Sequence, residues 1–157
     1  MTSDKLQEII DYINNESEQS KIYIACDSEA YAKNNVRYAD YYLVVVIHKN
    51  GHNGCKIFGE KITERDFVVD KKKPTYRLMN EVYKASELYL KLADVIGGRD
   101  CEIHLDIASD KRYTSNIVME QAIGYVRGTC NVIPLIKPNA WCATSVADKF
   151  LRIKRKA

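Results

Sequence analysis

The chain has 157 residues, of which 29% are charged and 46% hydrophobic, and its formal net charge is +3. This composition is typical of a folded globular domain and excludes a low-complexity or disordered chain. No apolar run reaches the length of a membrane span, the first residues are not typical of a signal peptide, and five scattered cysteines do not indicate a disulfide framework. We therefore expect a single domain over residues 1–157, with reduced thiols in a cytoplasmic compartment and no membrane partner.

The N-terminal part is predicted to form a helix and then a buried strand. Apolar residues at helical spacing predict a helix over Asp4–Asn14 with Ser3 as its N-cap, so that residues 1–19 comprise this helix and a linker. Ile22–Asp27 is rich in β-branched and aromatic residues, which favours a strand that ends on a carboxylate. An ionised Asp27 at the rim of a core needs compensation, either from backbone N–H groups in a turn or from a cation.

Two further strands and a long helix follow. Tyr42–Ile47 predicts the second strand and Cys55–Ile62 the third, and the Asn/Gly-rich turn between them predicts an antiparallel meander. The charged stretch 63–73 is predicted to be irregular. Pro74 suits the first turn of a helix that continues to about Ile96, because apolar residues recur there at helical spacing.

The C-terminal part alternates strands with helices. Glu102–Ile107 predicts a fourth strand, Ser115–Val126 a helix, and Asn131–Ile136 a fifth strand. A last helix is predicted to begin near residues 144–145 and to run into a basic tail at 150–157. This order of elements predicts an α/β fold with a mixed five-stranded sheet, three antiparallel strands followed by two parallel ones, and helices on both faces.

Four acidic residues stand at the edges of these elements. Asp27 and Asp106 lie at or near strand ends, Glu81 flanks the core-facing stripe of the long helix, and Asp148 lies in the first turns of the last helix. Each acid alone has an ordinary explanation, as a turn cap, a solvated helix residue or a complement to a helix dipole. Together they predict an oxygen-ligand site for Mg²⁺ or Mn²⁺ beyond the carboxyl ends of the strands. Two such ions could activate water and stabilise the leaving oxygen of a phosphodiester.

Basic residues accompany these acids in the sequence. Lys111, Arg112 and Lys137 lie close to the later acids, and Lys149 opens the basic C-terminal run. Such groups suit a substrate that is held through its phosphates, so a nucleic acid partner is expected. A solvated basic tail is the commoner explanation for a run of this kind.

Other candidate side chains are assigned to the core. His104 shares strand parity with Asp106 and is predicted to be a core histidine or one that supports a ligand. Three aromatic residues could stack on a nucleobase, but aromatic side chains pack in cores more often. They are Tyr113, Tyr125 and Trp141.

Four short motifs carry a resemblance to a known family. They are Cys26–Ser28, Glu102–Ile107, Ile136–Pro138 and Ala143–Lys149, of which the last two together are the most distinctive. Over about residues 20 to 152 the chain resembles the YkuK-type family, a group of small ribonuclease H-like proteins. The resemblance implies a ribonuclease H fold, which is also one of the few common folds with the predicted order of elements.

The resemblance also implies a divalent-metal centre. Its acidic positions correspond here to Asp27, Asp106 and Asp148, with Glu81 as the best match for a helix acid and Glu87 as the alternative. The residue after the Asp-Ser pair, often Gln in the family, is Glu29 in this chain. That difference leaves open a fifth metal ligand or a changed preference.

Three functions are compatible with these features. The leading hypothesis is a metal-dependent nuclease that cleaves RNA, an RNA–DNA hybrid or DNA by a two-metal mechanism. The second is a catalytically inactive module that binds nucleic acid or a protein, since fold alone does not establish activity. The third is a 3′–5′ exonuclease, because such enzymes open with an Asp-x-Glu pair like Asp27-x-Glu29. The Tyr or His that they carry shortly before the final Asp is replaced here by Ala143 and Thr144.

Overall fold

Five strands and four α-helices make up the structure, a computed structural model that describes residues 1–155. The strands are β1 (Lys21–Lys33), β2 (Val36–His48), β3 (Cys55–Arg65), β4 (Cys101–Ala108) and β5 (Leu135–Lys137). The helices are α1 (Ser3–Asn14), α2 (Thr75–Ile96), α3 (Met119–Cys130) and α4 (Asp148–Arg155). A 3₁₀ segment (Thr114–Val118) precedes α3, and a π-helical segment (Cys142–Ala147) leads directly into α4. The end of the predicted basic tail, Lys156 and Ala157, lies outside the described residues.

The sheet has the strand order β3-β2-β1-β4-β5. Pairs β1–β2 and β2–β3 are antiparallel, whereas β1–β4 and β4–β5 are parallel. The predicted α/β fold with a mixed five-stranded sheet is therefore confirmed. None of the helices within residues 1–155 combines the length and the apolar character that crossing a membrane requires.

Different parts of the chain cover the two faces of the sheet. On one face, Ile22, Ile24 and Cys26 of β1 pack in a core with α1, α2 and α3. On the other face, Tyr23 and Ala25 pack against the π-helical segment and the residues around it. Because successive side chains of a strand point to opposite faces, burial on both faces explains the unbroken apolar run that precedes Asp27.

The first strand is longer than predicted. Its antiparallel pairing with β2 continues beyond Asp27 to Lys33, which pairs with Val36. The turn between them consists of Asn34 and Asn35, with φ angles of 52° and 60°. Two left-handed residues form the tight turn whose twist matches that of a β-hairpin, and Asn tolerates this conformation well. Asp27 is therefore not the last residue of β1, although it does follow the end of the pairing with β4.

Other predicted boundaries were also wrong. The third strand continues to Arg65, into the stretch predicted to be irregular, because β2 extends far enough to pair with it. Ser3 lies inside α1, and Thr2 is the N-cap. The helix predicted over 115–126 begins as a 3₁₀ segment and continues as α3 to Cys130.

The C-terminal boundaries differ in a way that affects the candidate site. The fifth strand contains only Leu135–Lys137, because Asn131 takes a left-handed conformation at the end of α3 instead of opening a strand. The last helix begins earlier than predicted, with the π-helical segment at Cys142. Asp148 is the first residue of α4, but the six residues before it are already helical.

Candidate metal centre

Asp27 and Asp106 occupy equivalent positions on two adjacent parallel strands, as predicted. The last parallel pair of β1 and β4 is Cys26 with Leu105, and the two aspartates follow directly. Side chains alternate along a strand, so Asp27 is on the same face as Tyr23 and Ala25. By the same alternation Asp106 shares its face with His104. Both carboxylates thus belong to the face that the π-helical segment covers.

Asp27 is the electrostatic centre of this group. Burial, together with the negative charges of Asp106 and Asp148, raises the pKa of Asp27 to about 7. The Ser28 backbone N–H donates to Asp27 Oδ1 at 2.8 Å and opposes this rise. A carboxylate that is desolvated beside like charges favours its proton or a cation. Asp106 and Asp148 are therefore both close enough for their charges to act on Asp27.

The carboxylate of Asp106 is paired with a lysine. Lys137 Nζ lies 2.7 Å from Asp106 Oδ1. This is the length of a charge-assisted contact between an ammonium group and a carboxylate, so a protein cation already pairs with this oxygen. A metal ion that used the same oxygen would have to displace Lys137.

Glu81 approaches the same edge from the α2 side of the sheet. The Ser28 hydroxyl donates to Glu81 Oε1, and Arg77 Nη1 donates to the Ser28 hydroxyl oxygen at 2.8 Å. Ser28 points to the face opposite to that of its neighbour Asp27. Burial, and then the charge of Asp27, raises the pKa of Glu81 well above its usual value. Glu81 is therefore coupled to Asp27 while it is held by the Ser28–Arg77 pair.

Asp148 belongs to the group, and Glu87 does not. Asp148 Oδ2 pairs with Arg152 Nε at 2.9 Å along α4, and its charge acts on Asp27. Glu87 is exposed and pairs with Lys91 at 2.8 Å. Of the two candidate helix acids, only Glu81 is close enough for the charges of Asp27 and Asp106 to act on it.

The possible fifth acid lies on the same face of β1 as Asp27. Glu29 is half-buried and stands opposite Asp40 in the β1–β2 pairing. Since strand side chains alternate, Glu29 and Asp27 point to the same side of the sheet. Glu29 thus lies two residues from Asp27 on the face that carries the candidate metal ligands Asp27 and Asp106.

The acids are near one another, but protein cations balance much of their charge. Lys137, Arg152 and Arg77 accompany Asp106, Asp148 and Glu81, respectively. Among residues 1–155, no three His, Cys, Asp or Glu side chains already form a group that could hold a metal ion. Carboxylate oxygens are the ligands that Mg²⁺ and Mn²⁺ prefer, so the residues fit these ions by their chemistry. Binding would require the basic side chains to move away from the carboxylates.

His104 fixes the π-helical segment to β4 beside this group. The side chain is fully buried, as expected of a core histidine. The Cys142 backbone N–H donates to His104 Nδ1 at 3.1 Å, so the ring proton is on Nε2, which lies 2.8 Å from Glu102 Oε2. This link positions the π-helical segment, which leads directly into Asp148. The sequence signal for His104 was its strand parity with Asp106, which places the two side chains on the same face of the sheet.

The four predicted phosphate-binding residues are close in sequence to Asp106 or Asp148, and they differ in exposure and in their contacts. Lys111 and Lys149 are exposed. Arg112 is also exposed and donates from Nε to Asp110 Oδ2 at 2.8 Å. Lys137 contacts Asp106 directly. The prediction that the aromatic residues lie in the core was wrong, because exposed fractions reach 61% for Tyr113, 41% for Trp141 and 37% for Tyr125.

A family model described as Ribonuclease H-like matches residues 4–152. The matched range includes Asp27, Glu81, Asp106 and Asp148. Neither the curated proteins nor the solved structures contain a match to the chain.

Proposed function

The chain belongs to the ribonuclease H-like family, and from this premise we propose that it is a metal-dependent nuclease acting on RNA, an RNA–DNA hybrid or DNA. One observation carries the proposal. Asp27 lies beside Asp106 at the end of the β1–β4 pairing, with a pKa raised to about 7 by burial and by its acidic neighbours. Carboxylates held close together in this way favour a bound cation. The geometry is needed for the proposal because membership of a fold family does not by itself establish an activity.

The roles of the acids follow from their positions. Asp27 and Asp106 would bind Mg²⁺ or Mn²⁺, with Glu81 and Asp148 completing the ligand sets of two ions. When bound, such ions supply Lewis acidity for the hydrolysis of a phosphodiester. Ser28 and Arg77 would hold Glu81 in place.

The basic residues would hold the substrate. Lys137 would leave Asp106 and neutralise a phosphate, since a cation that is displaced from one anion is free to pair with another. Lys111, Arg112 and Lys149 are exposed near the acidic residues in sequence and would contact the flanking backbone phosphates.

A second candidate function is a silent module that binds nucleic acid or a protein. The observation in its favour is the pairing of Asp106 with Lys137, of Asp148 with Arg152 and of Glu81 with Arg77. Ion pairs of this kind can stabilise a fold without having any catalytic role. A 3′–5′ exonuclease is a variant of the first proposal, and it would use Glu29 beside Asp27.

A cleavage assay distinguishes these functions. We expect the purified protein to cut labelled single-stranded RNA, DNA or a hybrid in Mg²⁺ or Mn²⁺ but not in EDTA. Asp106→Asn should lower the rate by more than about a hundredfold, since even residues that only orient metal ligands contribute 10- to 100-fold. The matched control is Asp94→Asn, at an exposed acid of α2, which should retain the rate.

Each other result of this assay has a definite meaning. Binding of substrate without cleavage in either metal would favour the silent module. Cleavage that persists in EDTA, or in the Asp106→Asn variant, would exclude the metal centre as its source. Release of single nucleotides from one end only would indicate the exonuclease.

A further inference from the structure

A pocket of about 400 Å³ lies at the ends of β4 and β5, next to the acidic edge. Such a volume is within the usual range of small-ligand sites. Its lining contains Ala108, Ser109, Asp110, Tyr113, Lys137 and Pro138. Ala108 comes two residues after Asp106 on β4, and Lys137 is the residue that pairs with Asp106 at 2.7 Å. One side chain therefore belongs both to the pocket and to the candidate metal centre.

The lining combines flat apolar surface with a few polar groups. Tyr113 is 61% exposed, although a ring of this size usually packs in a core. Pro138 and Ala108 add apolar surface, and Ser109 and Asp110 add hydrogen-bonding groups. A nucleobase presents the complementary features, because it has two flat faces that stack on aromatic rings and a polar edge.

The walls of the pocket are held in place without a ligand. The Ala108 backbone N–H donates to Ser115 Oγ at 2.9 Å, and Asn116 Nδ2 donates to the carbonyl oxygens of Ala108 and Ser109 at 3.0 and 3.1 Å. The Arg112 backbone N–H donates to Asp110 Oδ1 at 2.9 Å. A preformed site loses less conformational entropy when a ligand binds.

We propose that this pocket binds one unstacked nucleobase of single-stranded RNA or DNA, next to the phosphate that enters the acidic edge. The inference rests on the proposed nuclease function and names the substrate class as single-stranded. A base within a duplex is stacked on both faces and cannot present one to Tyr113 unless it leaves the helix. Lys137, at the boundary of the two sites, would hold the phosphate attached to that base.

Binding measured by fluorescence anisotropy tests the pocket without relying on cleavage. The full chain is titrated into a labelled single-stranded oligonucleotide, the same strand in a duplex, and a version with abasic sites, in EDTA and again in Ca²⁺. Tyr113→Ala should weaken single-strand binding by roughly 5- to 150-fold, the range found when one stacking residue is removed. Tyr113→Phe keeps the ring and should bind as the wild type does. Tyr83→Ala removes an exposed tyrosine of α2 and should also leave binding unchanged.

Four results would overturn this inference: unchanged binding by Tyr113→Ala, equal binding of the abasic strand, equal binding of the duplex, or no binding of any of the three nucleic acids. The same measurements distinguish a failure of the base-binding inference from a failure of the nuclease proposal. Metal-dependent cleavage by a protein insensitive to Tyr113→Ala would remove only the base site, whereas Tyr113-dependent binding without cleavage would remove only the activity.

Discussion

Asp27→Asn is expected to lower metal-dependent cleavage by more than about a hundredfold and to stabilise the metal-free protein near neutral pH. The pKa of Asp27 is raised from 3.8 to about 7, first by burial and then by Asp106. Between these two pH values the unfolded chain has released the proton and the folded chain still holds it. The free energy of unfolding of the wild type therefore falls as pH rises through this window.

Asparagine removes this pH-dependent loss. It keeps an oxygen that can accept the Ser28 N–H, and it has no proton to lose and no charge to bury. By about pH 8 the variant should have gained stability relative to the wild type, at most on the order of 4 kcal/mol.

Urea unfolding in EDTA at about pH 5 and about pH 8 measures this difference. The control is Asp94→Asn, whose exposed acid should give nearly the same result at both pH values. If the stability of Asp27→Asn relative to the wild type were the same at both pH values, the pKa of Asp27 would not be raised in the folded protein.

Arg99→Met is expected to cost about 3 kcal/mol or more of stability and to leave cleavage by the folded protein unchanged. The Arg99 side chain is 7% exposed and donates from Nη1 to the Val95 carbonyl at 3.0 Å. It donates from Nη2 to the carbonyls of Ile13 and Glu16 at 3.2 and 2.8 Å, and from Nε to that of Ser17 at 3.1 Å. These bonds satisfy carbonyls at and just beyond the C-terminal ends of α1 and α2. Methionine keeps much of the length but donates none of them.

Chemical denaturation compares Arg99→Met with Arg127→Met, which changes an exposed arginine of α3. The control should lie within about 0.5 kcal/mol of the wild type. Equal stability of the two variants would mean that the bonds of Arg99 do not support the fold. Arg99 precedes β4 and Asp106 lies near its other end, so stability and activity are separable here.

The sequence pattern was sufficient to predict the strand directions in the sheet and the adjacent positions of two of its acidic residues. Asp27 and Asp106 could be placed side by side because the carboxyl ends of adjacent parallel strands meet at one edge. Glu81 could be placed by its helical position next to the core stripe. These inferences need only residue spacing and the direction of strands, which local patterns determine.

Contacts between distant side chains could not be predicted in the same way. The pairing of β4 with β5 is irregular between His104 and Ala108, and this irregularity accompanies the contact of Lys137 with Asp106. The exposure of Tyr113 depends on a loop conformation that the residue type does not reveal. Arg99 did carry a signal, since a basic residue just after a helix often binds its last carbonyls.

The most direct test of the metal centre is anomalous diffraction from crystals of the protein grown with Mn²⁺. We expect manganese density bound by carboxylate oxygens of Asp27 and Asp106, at distances near the roughly 2.0–2.1 Å typical of Mg²⁺. We also expect Lys137 Nζ to have moved from its position 2.7 Å from Asp106. Crystals that contain no manganese at this edge, with Lys137 still paired to Asp106, would contradict this expectation.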